Sequence, residues 1–98
     1  MTNIYIYKKT TLPININELK AELPESVLIH IAKYKQEIDY INSLIAWHIL
    51  QQHLKEDFND TLETLKFNEF GKPLIDNLYF SISHSNNIIV VCISNKNI

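Results

Sequence analysis

The sequence predicts an α+β protein in which a small, mainly antiparallel sheet packs on one long helix. Three observations carry that prediction. Aliphatic and aromatic residues alternate near the start, in Ile4-Tyr5-Ile6-Tyr7. The stretch from Gln36 to Leu54 repeats apolar residues at helical spacing. Near the end, Ile88-Ile89-Val90-Val91-Cys92-Ile93 is apolar throughout and mostly β-branched. With 98 residues, 46% of them hydrophobic, the chain holds one domain with a modest core.

Each element has its own signal. Ile4–Tyr7 reads as the first strand, ended by Thr10-Thr11-Leu12-Pro13. Asn15 or Asn17 caps a short helix that runs to Leu23, because a side-chain amide oxygen can accept a free N–H of the first turn. Pro24 breaks the chain, and Glu25-Ser26 begins a second helical stretch to about Lys35, with Val27, Leu28, Ile31 and Tyr34 on one face. In the long helix Ile38, Ile41, Leu44, Ile45, His48 and Ile49 form a stripe, and Trp47, Leu50 and Leu54 widen it. So broad an apolar surface predicts burial on more than one side.

A polar loop is expected from Lys55 to Asp60 and a strand over 61–67. Gly71 permits positive φ and Pro73 fixes the next corner, so Gly71-Lys72-Pro73 is a turn. Tyr79-Phe80-Ser81-Ile82 is the following strand, and Asn86-Asn87 turns the chain into the last one. That last strand does not alternate, so both of its faces call for cover. One substantial helix and two weaker ones supply little material for two faces. The sequence therefore predicts association with a partner.

Composition excludes several classes. A net charge of −2 argues against a nucleic-acid surface. No apolar run approaches the roughly 18 residues that span a bilayer, and the N-terminus lacks the basic start and apolar core of a signal peptide. A single cysteine, Cys92, forms no internal disulfide, which points to a reducing cytoplasm. All nine basic residues are lysines. Without arginine there is no bidentate fork, so a bound phosphate must be held by lysine, histidine, hydroxyls or backbone amides.

The chemistry concentrates in residues 70 to 85. A Gly71-Lys72-Pro73 turn leads into a strand that delivers Ser83-His84-Ser85 at its end. Such geometry brings a lysine, an imidazole and hydroxyls to one rim, which suits a small phosphorylated ligand. On an extended strand Ser83 and Ser85 share a side and His84 faces away. No acid stands where it would orient the imidazole, so the triplet is not read as a hydrolase nucleophile. The residues alone leave open a turn-closing role for the serines and a solvated one for Lys72. His48 and His53 have poor helical spacing for a shared metal, Trp47 is read as core, and Glu37 and Asp39 fall on different helix faces.

Taken in order, Asn42-Ser43-Leu44-Ile45-Ala46, Gly71-Lys72-Pro73 and Phe80-Ser81-Ile82-Ser83-His84-Ser85 resemble motifs of the Sfp-type 4′-phosphopantetheinyl transferases. Those enzymes move phosphopantetheine from coenzyme A to a serine of an acyl or peptidyl carrier protein. The resemblance covers nearly all of residues 1–98 but only the N-terminal lobe of a two-lobed protein. It implies that Lys72 and Pro73 border the adenine of coenzyme A, and that Ser83 and His84 contact its phosphates with Ser43 assisting. Three departures stand out. The family's arginine before the helical serine is Asn42 here, and Lys33 and Lys35 alone represent its upstream basic residues. The family's later acidic motifs, which complete Mg²⁺ binding and catalysis, have no counterpart, and no carboxylate follows Asp76.

The expectation is thus a coenzyme A-binding half with no catalytic or metal-ligating residue of its own. Catalysis and Mg²⁺ would come with a complementary C-terminal lobe, and self-association is the other way to cover the apolar strand. A non-catalytic coenzyme A- or carrier-binding remnant and a purely structural module are the alternatives.

Overall fold

The computed structural model describes residues 1–12 and 14–96. Pro13, which the sequence places at the end of the first strand, lies outside them. A three-stranded antiparallel sheet is built from β1 (Thr2–Lys8), β4 (Tyr79–His84) and β5 (Ile88–Ser94), in the order β1-β5-β4. A second, two-stranded sheet pairs β2 (Lys66–Phe67) with β3 (Pro73–Leu74). Three helices connect β1 to β2: α1 (Ile16–Glu22), α2 (Glu25–Ile31) and α3 (Glu37–Phe58). The predicted α+β class and its long helix against a small antiparallel sheet are what the molecule has.

The helix α3 is the centre of the structure. Leu44, Ala46, Leu50 and Leu54 are fully buried, and Asn42 through Trp47 are all buried without interruption. A helix packed on one side only cannot bury six consecutive residues. The sheet covers α3 along β4 and β5, and α1 and α2 cover it elsewhere. Ile38, placed on the apolar stripe by its spacing, is 37% exposed because the packing begins further along.

The first helix is capped by one of its two expected residues, and three other boundaries differ from expectation. Asn15 is the cap of α1, its side chain accepting the Glu18 N–H at 3.2 Å. α2 stops at Ile31, short of Lys35, so Lys33 and Lys35 sit in the connection to α3. α3 continues through the expected loop to Phe58 and ends at Asn59, whose φ of 50° gives the left-handed cap common at helix ends. The strand expected over 61–67 is reduced to Lys66–Phe67. Its first half is bent by side-chain bonds to the backbone instead: Asp60 Oδ1 accepts the Thr61 N–H at 2.7 Å, and Thr61 Oγ1 accepts the Glu63 N–H at 3.1 Å.

The pleat divides the main sheet into two unlike faces. Inward, Ile89, Val91 and Ile93 are buried, flanked by Tyr5 and Tyr7 of β1 and by Phe80, Ile82 and His84 of β4. Outward, Ile6 stands beside Val90 and Ser83, and Ile4 beside Cys92 and Ser81. Ile4 and Ile6 are 64% and 67% exposed. The unalternating β5 sequence is thus satisfied on one face only. No helix among the described residues is long and apolar enough to cross a membrane.

Candidate functional site

The Gly71-Lys72-Pro73 corner is built by one asparagine. Asn68 Oδ1 accepts the N–H groups of both Phe70 and Lys72 at 2.9 Å. The Asn68 N–H donates to the Lys72 carbonyl at 3.0 Å, and the Gly71 N–H donates to the Asn68 carbonyl at 2.9 Å. Gly71 has φ of +79°, the left-handed region that a side chain disfavours. The loop between β2 and β3 is therefore fixed by its own bonds, and the root of Lys72 with it. Phe70, at the same loop, is 85% exposed.

Facing this corner is the end of β4. His84 points inward, and its Nε2 lies 3.2 Å from Ser43 Oγ on α3. Ser43 itself is 3% exposed, so it addresses the imidazole from within the core. The Asn42 amide donates to the Ser85 carbonyl at 2.8 Å and ties the start of the β4–β5 turn to the same helix. Tyr34 meets the His84 ring edge-on at 6.2 Å between centroids.

Between corner and strand lies an open cavity of about 250 Å³. It is lined by Lys72 and Pro73 from the corner, Ser43 and Trp47 from α3, His30 and Tyr34 from the α2 end, and Phe80, Ser81, Ile82 and His84 from β4. Of the five residues singled out from sequence, Ser43, Lys72, Pro73 and His84 meet here. Ser83 does not: it stands on the outer face beside Val90, and of the two serines on that face of β4 only Ser81 borders the cavity.

Three wall residues carried no site signal in the sequence. His30 stacks on Phe67, with centroids 4.4 Å apart, and meets Trp47 edge-on. Burial, with the Lys33 ammonium nearby, pushes the His30 imidazole below its ordinary value of 6.5. His30 is therefore a neutral aromatic wall near neutral pH. The Lys33 ammonium lies 5.5 Å from the centroid of the Tyr34 ring, at the rim. Trp47, read as core, is 4% exposed and still borders the cavity. Only adjacency in the fold identifies these walls; their spacing in sequence is irregular.

The cavity thus pairs the Lys72 ammonium and the His84 and His30 imidazoles with hydroxyls over an aromatic floor. Its donors suit an anion attached to a planar or apolar body. None of its lining residues is a carboxylate. Mg²⁺ takes oxygen ligands, usually carboxylates with substrate phosphates, so this set of side chains does not fit it. Among the described residues no three His, Cys, Asp or Glu side chains converge to hold a metal.

No protein-family model matches the chain. Over 90 aligned residues it is 31% identical to the 4′-phosphopantetheinyl transferase gsp of Aneurinibacillus migulanus. The chain is a partial relative of the 4′-phosphopantetheinyl transferases. The alignment takes in 81% of this chain and 38% of that transferase, so the chain spans well under half the length of the relative it matches. The phosphopantetheinyl transferase resemblance drawn from three short motifs therefore extends across most of the sequence.

Proposed function

We propose that this chain is the coenzyme A-binding N-terminal lobe of a 4′-phosphopantetheinyl transferase. The observation that carries the reading is the convergence of Ser43, Lys72 and His84 on one cavity in a chain related to such an enzyme. In this reading the Lys72 ammonium and the His84 imidazole donate to the phosphates of coenzyme A. Pro73 and Lys72 border its adenine, and Ser43 holds the imidazole in place. Ser83, on the outer side of β4, contributes to the same ligand once a second lobe encloses it there.

Transfer to an acyl or peptidyl carrier protein needs charge neutralisation that this cavity does not supply. The donor set favours binding over chemistry for this chain by itself. Mg²⁺ and the catalytic acids belong, in this proposal, to a complementary C-terminal lobe. The open sheet face supports such a partner: Ile4 and Ile6 are about two-thirds exposed. Covering both would stabilise a complex by about 2–4 kcal/mol. Self-association through that face is the second way to cover it. The single cysteine accords with a reducing cytoplasm.

Two measurements test the proposal. Calorimetry with coenzyme A should register binding that weakens in the Lys72→Ala/His84→Ala double variant; no heat and no thermal shift at millimolar ligand would discard the nucleotide site. Mixing the chain with a complementary C-terminal half, Mg²⁺, coenzyme A and an apo-carrier protein should add phosphopantetheine, read by mass spectrometry. Coenzyme A binding without modification across several halves and carriers would leave the non-catalytic binder as the function.

A further inference from the structure

Asn42 and Ser43 are neighbours on α3, and both are buried, at 1% and 3% exposure. Consecutive helical residues point about 100° apart, so the two reach different targets. Ser43 meets the His84 side chain at Nε2, 3.2 Å away. Asn42 meets the backbone one residue later, its Nδ2 donating to the Ser85 carbonyl at 2.8 Å. One helix thus grips the His84–Ser85 dipeptide twice, where β4 gives way to its turn. The turn is held from elsewhere too. The Ser85 N–H donates to the Ile88 carbonyl at 2.9 Å, and the Lys9 N–H to the Asn87 carbonyl at 2.7 Å.

A buried amide disfavours folding unless its polar atoms find partners. Only half of this one does, since Asn42 Oδ1 has no partner. A leucine would fill similar space without an orphaned acceptor. The amide cannot be turned over, because Oδ1 would then face the Ser85 carbonyl oxygen. What distinguishes asparagine at this position is the one donated bond.

We infer that Asn42 is a positioning residue for His84: by holding the Ser85 carbonyl it keeps the imidazole seated on Ser43, with Nδ1 left as the ring's free polar edge toward the cleft. The identity of the ligand at that edge rests on the coenzyme A reading. The seating of the ring is a property of the ligand-free chain and is tested separately.

Asn42→Leu and Asn42→Asp, both close in shape, are made in the full chain and checked for folding by circular dichroism. The His84 ring nitrogens are followed by NMR, and coenzyme A affinity by calorimetry. Both variants should fold, and the His84 resonances should shift toward an averaged ring. Affinity should fall about five- to tenfold. In a His84→Ala background the same change should have almost no effect, because both act through one group.

A purely structural Asn42 would lower the melting temperature, leave the His84 resonances in place and add its cost to that of His84→Ala; that pattern overturns the inference. Should both variants fail to fold, the parent decides. Asn42 side-chain amide protons protected from exchange, with one His84 ring orientation, support the latch, and rapid exchange or an averaged ring overturns it. If the parent binds no coenzyme A, the proposed function falls while the imidazole resonances still judge Asn42.

Discussion

Replacing Lys72 by alanine removes a charge without disturbing the corner that carries it. Asn68 holds Lys72 only by its backbone, at 2.9 Å to the N–H and 3.0 Å to the carbonyl, and alanine keeps both bonds. Whatever changes is therefore owed to the ammonium. A hydrogen bond to a charged group contributes about 1.5–3 kcal/mol when shielded. Lys72 stands at an exposed rim, where water and salt screen it. The discounted contribution is about 1–1.5 kcal/mol, or roughly a five- to tenfold weaker Kd for coenzyme A. Calorimetry at low and high salt reads both the loss and its origin. The parent's affinity should drop as salt rises, and the variant's should drop less, because one screened attraction is gone. A variant that binds as tightly as the parent, or one that keeps the parent's full salt dependence, would show that Lys72 does not face the ligand.

Leu50 is fully buried at the centre of α3, so Leu50→Ala should cost about 2–5 kcal/mol. It should lower the urea midpoint with an unchanged slope, and a loss under 1 kcal/mol would mean that the core collapses around the gap. Gly71→Ala meets nothing within 4 Å of the added Cβ, so its penalty is the backbone's alone, about 1 kcal/mol at φ of +79°. A thermal melt that falls by about 4–8 °C agrees, and no change would mean that the loop relaxes out of the left-handed region. His30 is held below its ordinary 6.5, so the unfolded chain takes up that proton first. Its contribution is complete above about pH 6.5 and declines as pH falls through the folded value. Urea midpoints at pH 7 and 5.5 should differ less in His30→Phe than in the parent, and equal differences would refute the assignment.

The fold was legible where local chemistry and packing agree. β1 and β5 are β-prone throughout, and β5, paired on both edges, packs α3 through Ile89, Val91 and Ile93 while its outer face stays open beside Ile4 and Ile6. Reading stopped short where tertiary bonds extend or cut an element. Lys55 to Phe58 look like a polar loop, yet Asp57 is drawn into the helix end by His53 one turn earlier and by a Tyr5 contact that no local pattern records. Its carboxylate accepts the Tyr5 hydroxyl at 2.6 Å and lies 3.1 Å from His53 Nδ1, and these bonds hold it below the usual carboxylate range. Asn59, not the polar run, stops the helix.

For the site, residues close in sequence were legible and residues brought from afar were not. The Lys72 corner and the His84 strand announce themselves, whereas His30 and Tyr34 enter the same cavity from a helix end some forty residues upstream. Ser43 fell between these cases, since only its motif singled it out.

The pleat sets a condition on how one ligand could use both Ser83 and His84. They are adjacent on β4 and point to opposite faces, with His84 in the cavity and Ser83 in the row with Val90 and Ile6. In a central strand no small molecule would meet both. β4 is an edge strand in the order β1-β5-β4, so a ligand can fold over its free side. The far part of that ligand then lies on the open apolar face, where Ile4 and Ile6 await cover. A second lobe seated there would enclose the ligand against Ser83, whereas the chain alone leaves Ser83 in water, where a hydroxyl contributes little net binding. Ser83→Ala should therefore leave coenzyme A affinity unchanged in the isolated chain and lower it once the complementary half is present. Loss in the isolated chain would mean that the ligand crosses the β4 edge without help.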